Sequence, residues 1–414
     1  MKEQLKVRRF IPFRRSDIIE MCLSEGGLNT SEVKDFREFS KKLQAIYHLQ
    51  FHETLETLKD SYSSVDPDSD TQKVDLLSLQ NKTPENFTKQ LENLLNKANF
   101  EKLTELALTQ ALNETSLFNL KLHIDLNDFE EVLLFCRGES LRVEKVKKWY
   151  QLKPKTVRFI NYDRVLLYIR FSNEFTSHKT ALKQHRPGST LLKLFQNVPH
   201  ADIEMLFPNT KLKMRLIDKL IIGVPAAISG GIILVTKLGA TLVLIGSLIG
   251  FWIGYQTQPV EFDKTAIATL FIGLATLGGY LWKQFSNFKN RKLRFMQSLT
   301  KNLYFKNLDN NAGVFHRLVD GAEEEEFKEA ILAYYFLLLE KSSITKYELD
   351  KRIEKWFKDQ WGYSLDFEVD DAILKLESLG LLIKDNNTDQ LSVLVLGKAK
   401  RKLEDQWQSY FKFS

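Results

Sequence analysis

Cysteine is nearly absent from this chain: Cys22 and Cys136 are the only two in 414 residues. Two thiols cannot build a disulfide framework or a four-thiolate zinc site, and their scarcity fits a reducing compartment. An excess of one charge is missing too. The 59 lysines and arginines face 53 acids, and a net charge of +6 over this length is no electrostatic footprint for nucleic acid. Nor is there a G-x-S-x-G elbow, a G-x-x-x-x-G-K-[ST] phosphate loop or a G-x-G-x-x-G turn, so no motif announces a reaction. The first 15 residues hold six basic side chains and one glutamate with no long apolar run behind them, so no cleavable signal peptide is expected.

What is present is ordinary globular composition, 43% hydrophobic and 27% charged, which at roughly 150 residues per domain suggests two or three domains. Two long apolar runs interrupt it. Leu238–Tyr255 and Thr265–Trp282 are each 18 residues without a charge, about 27 Å as helix, and are predicted to span a membrane. The alternative is a buried helical hairpin. Residues 220–236 carry Pro225, Ser229, Gly230 and Gly231 and stop at Lys237, which reads as a re-entrant or interfacial segment. Basic flanks before and after this block (220–282) put both on the cytoplasmic side. The expectation is an integral protein of the cytoplasmic membrane, in contact with the lipid bilayer, with both termini cytoplasmic and a short outer loop at 256–263. Gly246, Gly250 and Gly254 recur every fourth residue as a candidate helix-packing seam, within the hairpin or in a homo-oligomer. Neither span contains an ionisable residue, which argues against a pump or transporter.

The remaining sequence divides into an N-terminal helical region (1–60), a linker (61–86), an α+β domain (87–210) and a C-terminal region (300–414). Leu43, Ile46, Tyr47, Phe51, Leu55 and Leu58 form one helical stripe. The runs "EVLLFCR", "KTVRFIN" and "RVLLYIRF" predict a small antiparallel sheet with helices against it. Asp320 leading into Glu323–Glu326 reads as a helix start with acids in its first turn. Three helices and a hairpin ("LLIK", "LSVLVL") then follow in winged-helix order. The third helix and its leading residue carry five acids against Lys375, net −4, so no nucleic acid is expected there and docking of other proteins is. Lys398, Lys400, Arg401 and Lys402 read as a solvated face or a surface for acidic headgroups or protein.

Candidate ligands are few. His48 and His52 are four apart on a predicted helix, the spacing of a metal pair, with Glu53 beside the second. The order H-x-x-x-H-E differs from the zinc-protease motifs, so a packing role competes. Asp66, Asp68 and Asp70 resemble the start of a calcium loop, but Thr71 and Leu77 stand where glycine and glutamate are needed. The expectation is therefore no cofactor, with a divalent metal such as zinc on His48, His52, Asp66 and Asp68 as the alternative, and no assigned catalytic residue.

"RRFIPFRRSDIIE" at 8–20, "HLQFHETL" followed by "DPDSDT", "FEEVLLFCRG" with "YDRVLLYIRF", and "FKNLDNNAGVFHRLVDGAEEEEFKEAILAYYFLL" at 305–338 resemble the transmembrane protein 143 family. The likeness runs from about residue 8 to 380. It implies a membrane protein, mitochondrial in animals, built around a domain of unknown function (number 3754), and it brings no catalytic residues. The fold class expected is an α+β membrane protein with a two-span hairpin and a winged-helix-like C-terminus. The function expected is a membrane-tethered scaffold or regulatory adaptor, with a membrane-bound metal-dependent hydrolase or an oligomeric pore as alternatives.

Overall fold

The computed structural model describes residues 8–68, 84–104, 121–146, 155–173, 187–213, 239–255, 264–340, 343–385 and 389–411. Helix α1 (Arg15–Glu25) stops at Gly26 and Gly27, whose positive φ of 87° and 92° turns the chain into α2 (Thr30–Tyr62). Asn29 starts α2 through a capping box: its side chain accepts from Glu32 N, and Glu32 accepts from Asn29 N, both at 2.9 Å. The predicted stripe is buried, with Leu43, Ile46 and Leu58 fully shielded. Helix α3 (Pro84–Lys97) leads to the short strand β1 (Glu101–Lys102).

Strands β2 (Lys121–His123), β3 (Phe129–Val146), β4 (Lys155–Phe171), β5 (Thr190–Pro199) and β6 (Lys211–Lys213) follow. Next come α4 (Gly239–Trp252), α5 (Lys264–Lys306), β7 (Asn307–Asn310) and α6 (Ala312–Leu339). The five-stranded antiparallel sheet has order β1–β3–β4–β5–β7, so Asn307–Asn310 is one of its edge strands. Leu133, Phe135, Leu166, Tyr168, Leu192 and Leu194 face the helices. Leu134, Leu167 and Leu191, on alternate positions, are buried on the other face, where Ile203, Met205 and Phe207 are also buried. Continuous apolar strands are the mark of a sheet covered on both sides.

The C-terminal elements are β8 (Ile344–Thr345), α7 (Lys346–Trp361), α8 (Val369–Ser378), β9 (Leu382–Asp385), β10 (Gln390–Val393) and α9 (Leu396–Ser409). The expected order of helices and hairpin is found, with β8 completing a sheet of order β8–β10–β9. Lys400, expected as a free surface cation, reaches Asp35 and Glu38 of α2 (2.9 Å to the latter).

Two compact units emerge. The first draws on described residues within 1–114, 125–209 and 306–414, so the stretches read separately as 1–60, 87–210 and 300–414 share one core. Its centre is α6, buried along most of its length. Tyr334 stacks on Phe39 of α2 (ring centroids 4.2 Å), Phe315 meets Tyr62 edge-on (5.2 Å), and Phe336 meets Trp356 of α7 (5.4 Å). The second unit, within 115–124 and 210–305, contains the β2–β6 pair and the helices of the apolar block.

The membrane expectation needs correcting. No helix among the described residues is long and apolar enough to cross a membrane, which overturns the two-span hairpin and the integral cytoplasmic-membrane assignment. The first run forms only the 14 residues of α4, about 21 Å against the ~30 Å of a bilayer core, and Gly254 at φ 82° breaks the chain beyond it. The second run opens a 43-residue helix that continues unbroken into its basic half, past Lys283, Lys289 and Arg294. Residues 220–236 and the expected outer loop 256–263 lie outside the described residues. At Gly246, Gly250 and Gly254 an added Cβ would meet nothing within 4 Å.

Candidate functional site

His48 and His52 lie one turn apart on α2, as expected. His48 Nδ1 sits 3.1 Å from Glu323 Oε2, and both histidines are exposed. Asp66 and Asp68 lie beyond the end of α2, which continues ten residues past His52, about 15 Å of helical rise. The four residues do not converge. Asp66 Oδ1 accepts from Asp68 N (3.0 Å), and Asp68 Oδ2 accepts from Asn311 Nδ2. Among the described residues no group of three or more His, Cys, Asp or Glu side chains is placed to hold a metal ion.

Asn311, at the end of an Asn/Asp-rich stretch, holds that turn in place. Its φ of 47° is left-handed, tolerable for asparagine. Its Oδ1 accepts from Leu192 N (3.1 Å) and Tyr62 OH (3.3 Å).

The acidic run is not a helix start. α6 begins at Ala312, so Glu323–Glu326 occupy its middle, where most of this charge is buried. Each carboxylate has its own partner, and most lie hundreds of residues away. Glu323 binds Arg15 Nη1 (2.8 Å), Glu324 accepts from Arg15 N (3.1 Å) at the first turn of α1, and Glu325 accepts from Ile11 N (3.1 Å). Lys328, ion-paired with Glu325, donates to Ile11 O (2.7 Å) and Phe13 O (3.1 Å). One helical stretch thus fixes the N-terminal strap, residues 8–14, by both backbone donors and acceptors.

The same stretch reaches the C-terminal helices. Lys375 of α8 is buried against Glu326 (3.3 Å), Glu329 and Asp371 (2.8 Å). Burial alone would lower its pKa, and these three carboxylates reverse that, leaving it raised. Burial pushes the Glu329 carboxyl up to about 7 against the pull of Lys375 and Asn99. With Lys375 turned inward, the outer face of α8 keeps exposed Asp370, Leu374 and Glu377 at i, i+4 and i+7. Leu374 is 61% exposed among these acids.

Arg137 of β3 was also missed, because a lone arginine in "LLFCRG" carries no motif. Its guanidinium lies between two rings, with Cζ 4.2 Å from the centroid of Phe10 and 4.9 Å from that of Phe100. Nη1 donates to Ala98 O (3.1 Å). Burial lowers its pKa to about 10. It borders a cavity of about 240 Å³ beside the N-terminal strap and a second of about 190 Å³ near Arg164 and Arg317.

Residues 162–313 match the family described as "Protein of unknown function (DUF3754)", so this stretch carries the domain of unknown function. No solved structure matches the chain.

Proposed function

We propose that this chain is a non-enzymatic regulatory adaptor that docks a basic partner protein on the outer face of α8. The observation that carries this reading is the inward turn of Lys375: the helix's single cation is engaged with Glu326, Glu329 and Asp371, and the outer face keeps exposed Leu374 between Glu377 and Asp370, the latter ion-paired with Lys346 of α7. An apolar anchor between two acids suits an amphipathic basic segment, which would bury Leu374, meet Glu377 with a cation and take the place of Lys346 on Asp370. The same face would repel a phosphate backbone.

The test uses the full chain and a lysine-rich amphipathic helical peptide as probe. Saturable, salt-sensitive binding should weaken about tenfold or more in the double variant Asp370→Lys, Leu374→Glu, the loss of roughly 1.4 kcal/mol. Equal binding by both proteins, or tight duplex DNA binding at physiological salt that depends on these residues, would refute the reading.

A further inference from the structure

We infer that Lys193 is a covalent modification site whose amine condenses with small apolar aldehydes, a site separate from the α8 face. Lys193 lies in β5, an interior strand between β4 and β7. It stands opposite Leu167 on one side and Asn310 on the other, and residues opposite each other in an antiparallel pair share a face. Leu191 and Phe195, two positions away along the strand, lie on that face as well. Leu167, Leu191 and Phe195 are all buried. The lysine stem is therefore set in an apolar wall, while the residue as a whole is only half-buried, which leaves the amine within reach of a reagent.

Among the described residues no carboxylate holds this amine, and burial alone acts on it, pushing its pKa below the usual lysine value. Nearby charges are engaged elsewhere. Asp309, beside Asn310, pairs with Arg317 (3.0 Å) on the helix-facing side of the sheet. In the 3₁₀ turn His200–Leu206, His200 lies against the Tyr162 ring (centroids 6.1 Å) and Asp202 faces Lys306 (3.9 Å). Burial, with Asp202 beside it, lifts Glu204 to about 7. Lys351 and Lys400, each hydrogen-bonded to two carboxylates, are raised instead. At neutral pH Lys193 thus holds more of its uncharged form than a solvated lysine, about tenfold more for each unit by which its pKa falls. The uncharged amine attacks the aldehyde carbon: a C–N bond forms, the nitrogen gives up two protons, the carbonyl oxygen leaves with them as water, and an imine remains. The wall selects the aldehyde, because an alkyl chain gains by lying on Leu167, Leu191 and Phe195, whereas a carboxylate there would lose its hydration.

The experiment treats the full chain at about pH 7 with limiting hexanal and cyanoborohydride, which reduces the imine to a stable secondary amine, and maps the adducts by peptide mass spectrometry. Lys193 should carry about fivefold more adduct, or better, than the exposed Lys301 or Lys384. In guanidinium, where every lysine is solvated, that preference should vanish. Glyoxylate, an aldehyde bearing a carboxylate, should show no preference for Lys193 in the folded chain. Asn310→Asp, at an exposed position, sets a carboxylate opposite the amine without entering the core, and should cut the hexanal preference about threefold or more. Adducts spread over the exposed lysines, a preference that survives guanidinium, equal selectivity with glyoxylate, or an unchanged preference in Asn310→Asp would each overturn the assignment.

Discussion

Helices α6 and α5 stand in opposite relation to water. In α6, Glu325, Glu326, Lys328 and Glu329 are buried, whereas in α5 Phe271, Ile272 and Trp282 are 66%, 67% and 73% exposed. The difference lies in what the rest of the chain brings to each helix. Residues 11, 13, 15, 99 and 375 supply α6 with a partner for every buried charge. The described chain supplies no such cover for the rings of α5. Residue type sets the cost of burial, and the neighbours decide whether that cost is met.

The sharpest way to break this contrast is to remove one partner inside α6. Lys328→Met should lower the stability of the full chain by about 3–5 kcal/mol in urea unfolding, because Glu325 and two strap carbonyls lose their counterpart in the core. A loss below about 1 kcal/mol would mean that water reaches these groups. Pairing it with Glu325→Leu should recover part of the loss, since no buried carboxylate is then left without its cation.

A smaller effect tests the protonation of Glu329. Its folded pKa of about 7 exceeds the ~4.3 of an unfolded chain, so between those values the folded state binds a proton that the unfolded state has released. This contribution favours folding fully below about pH 4.3 and is lost as pH rises through about 7. Glu329→Gln lacks it. Relative to the native chain, the variant should gain something on the order of 2 kcal/mol between pH 5 and pH 8, and a gap that stays constant with pH would contradict the buried-proton account.

The smallest effect belongs to α5. Phe271→Ser should change stability by no more than about 0.5 kcal/mol, because the ring buries little surface within the chain. A loss near 3 kcal/mol would show that the ring is covered in solution.

Local signals were legible and distant ones were not. The stripe from Leu43 to Leu58 is buried as its period demanded, and "EVLLFCR" and "RVLLYIRF" are neighbouring strands whose faces are both covered. The glutamate run misled for a physical reason. Acids followed by an apolar helix look the same whether they greet a helix dipole or a strap 300 residues away, and only the fold brings Ile11 and Arg15 alongside. β7 was hidden because "NLDN" joins its sheet through backbone groups that any residue possesses. Arg137 gave one clue, a charge on an otherwise apolar strand, which reads as a strand edge until Phe10 and Phe100 close around it.

The pinning of the strap also bears on how the chain is made. Ile11 and Glu325 are 314 residues apart, and a ribosome adding roughly 5–20 residues per second would deliver the glutamate on the order of 15–60 s after the isoleucine. Through that interval α1 and α2 would have their apolar faces made but not covered, since α6 forms the wall they pack on. The first unit must therefore close late in synthesis, and its early helices are the stretch most dependent on chaperones that shield nascent chains.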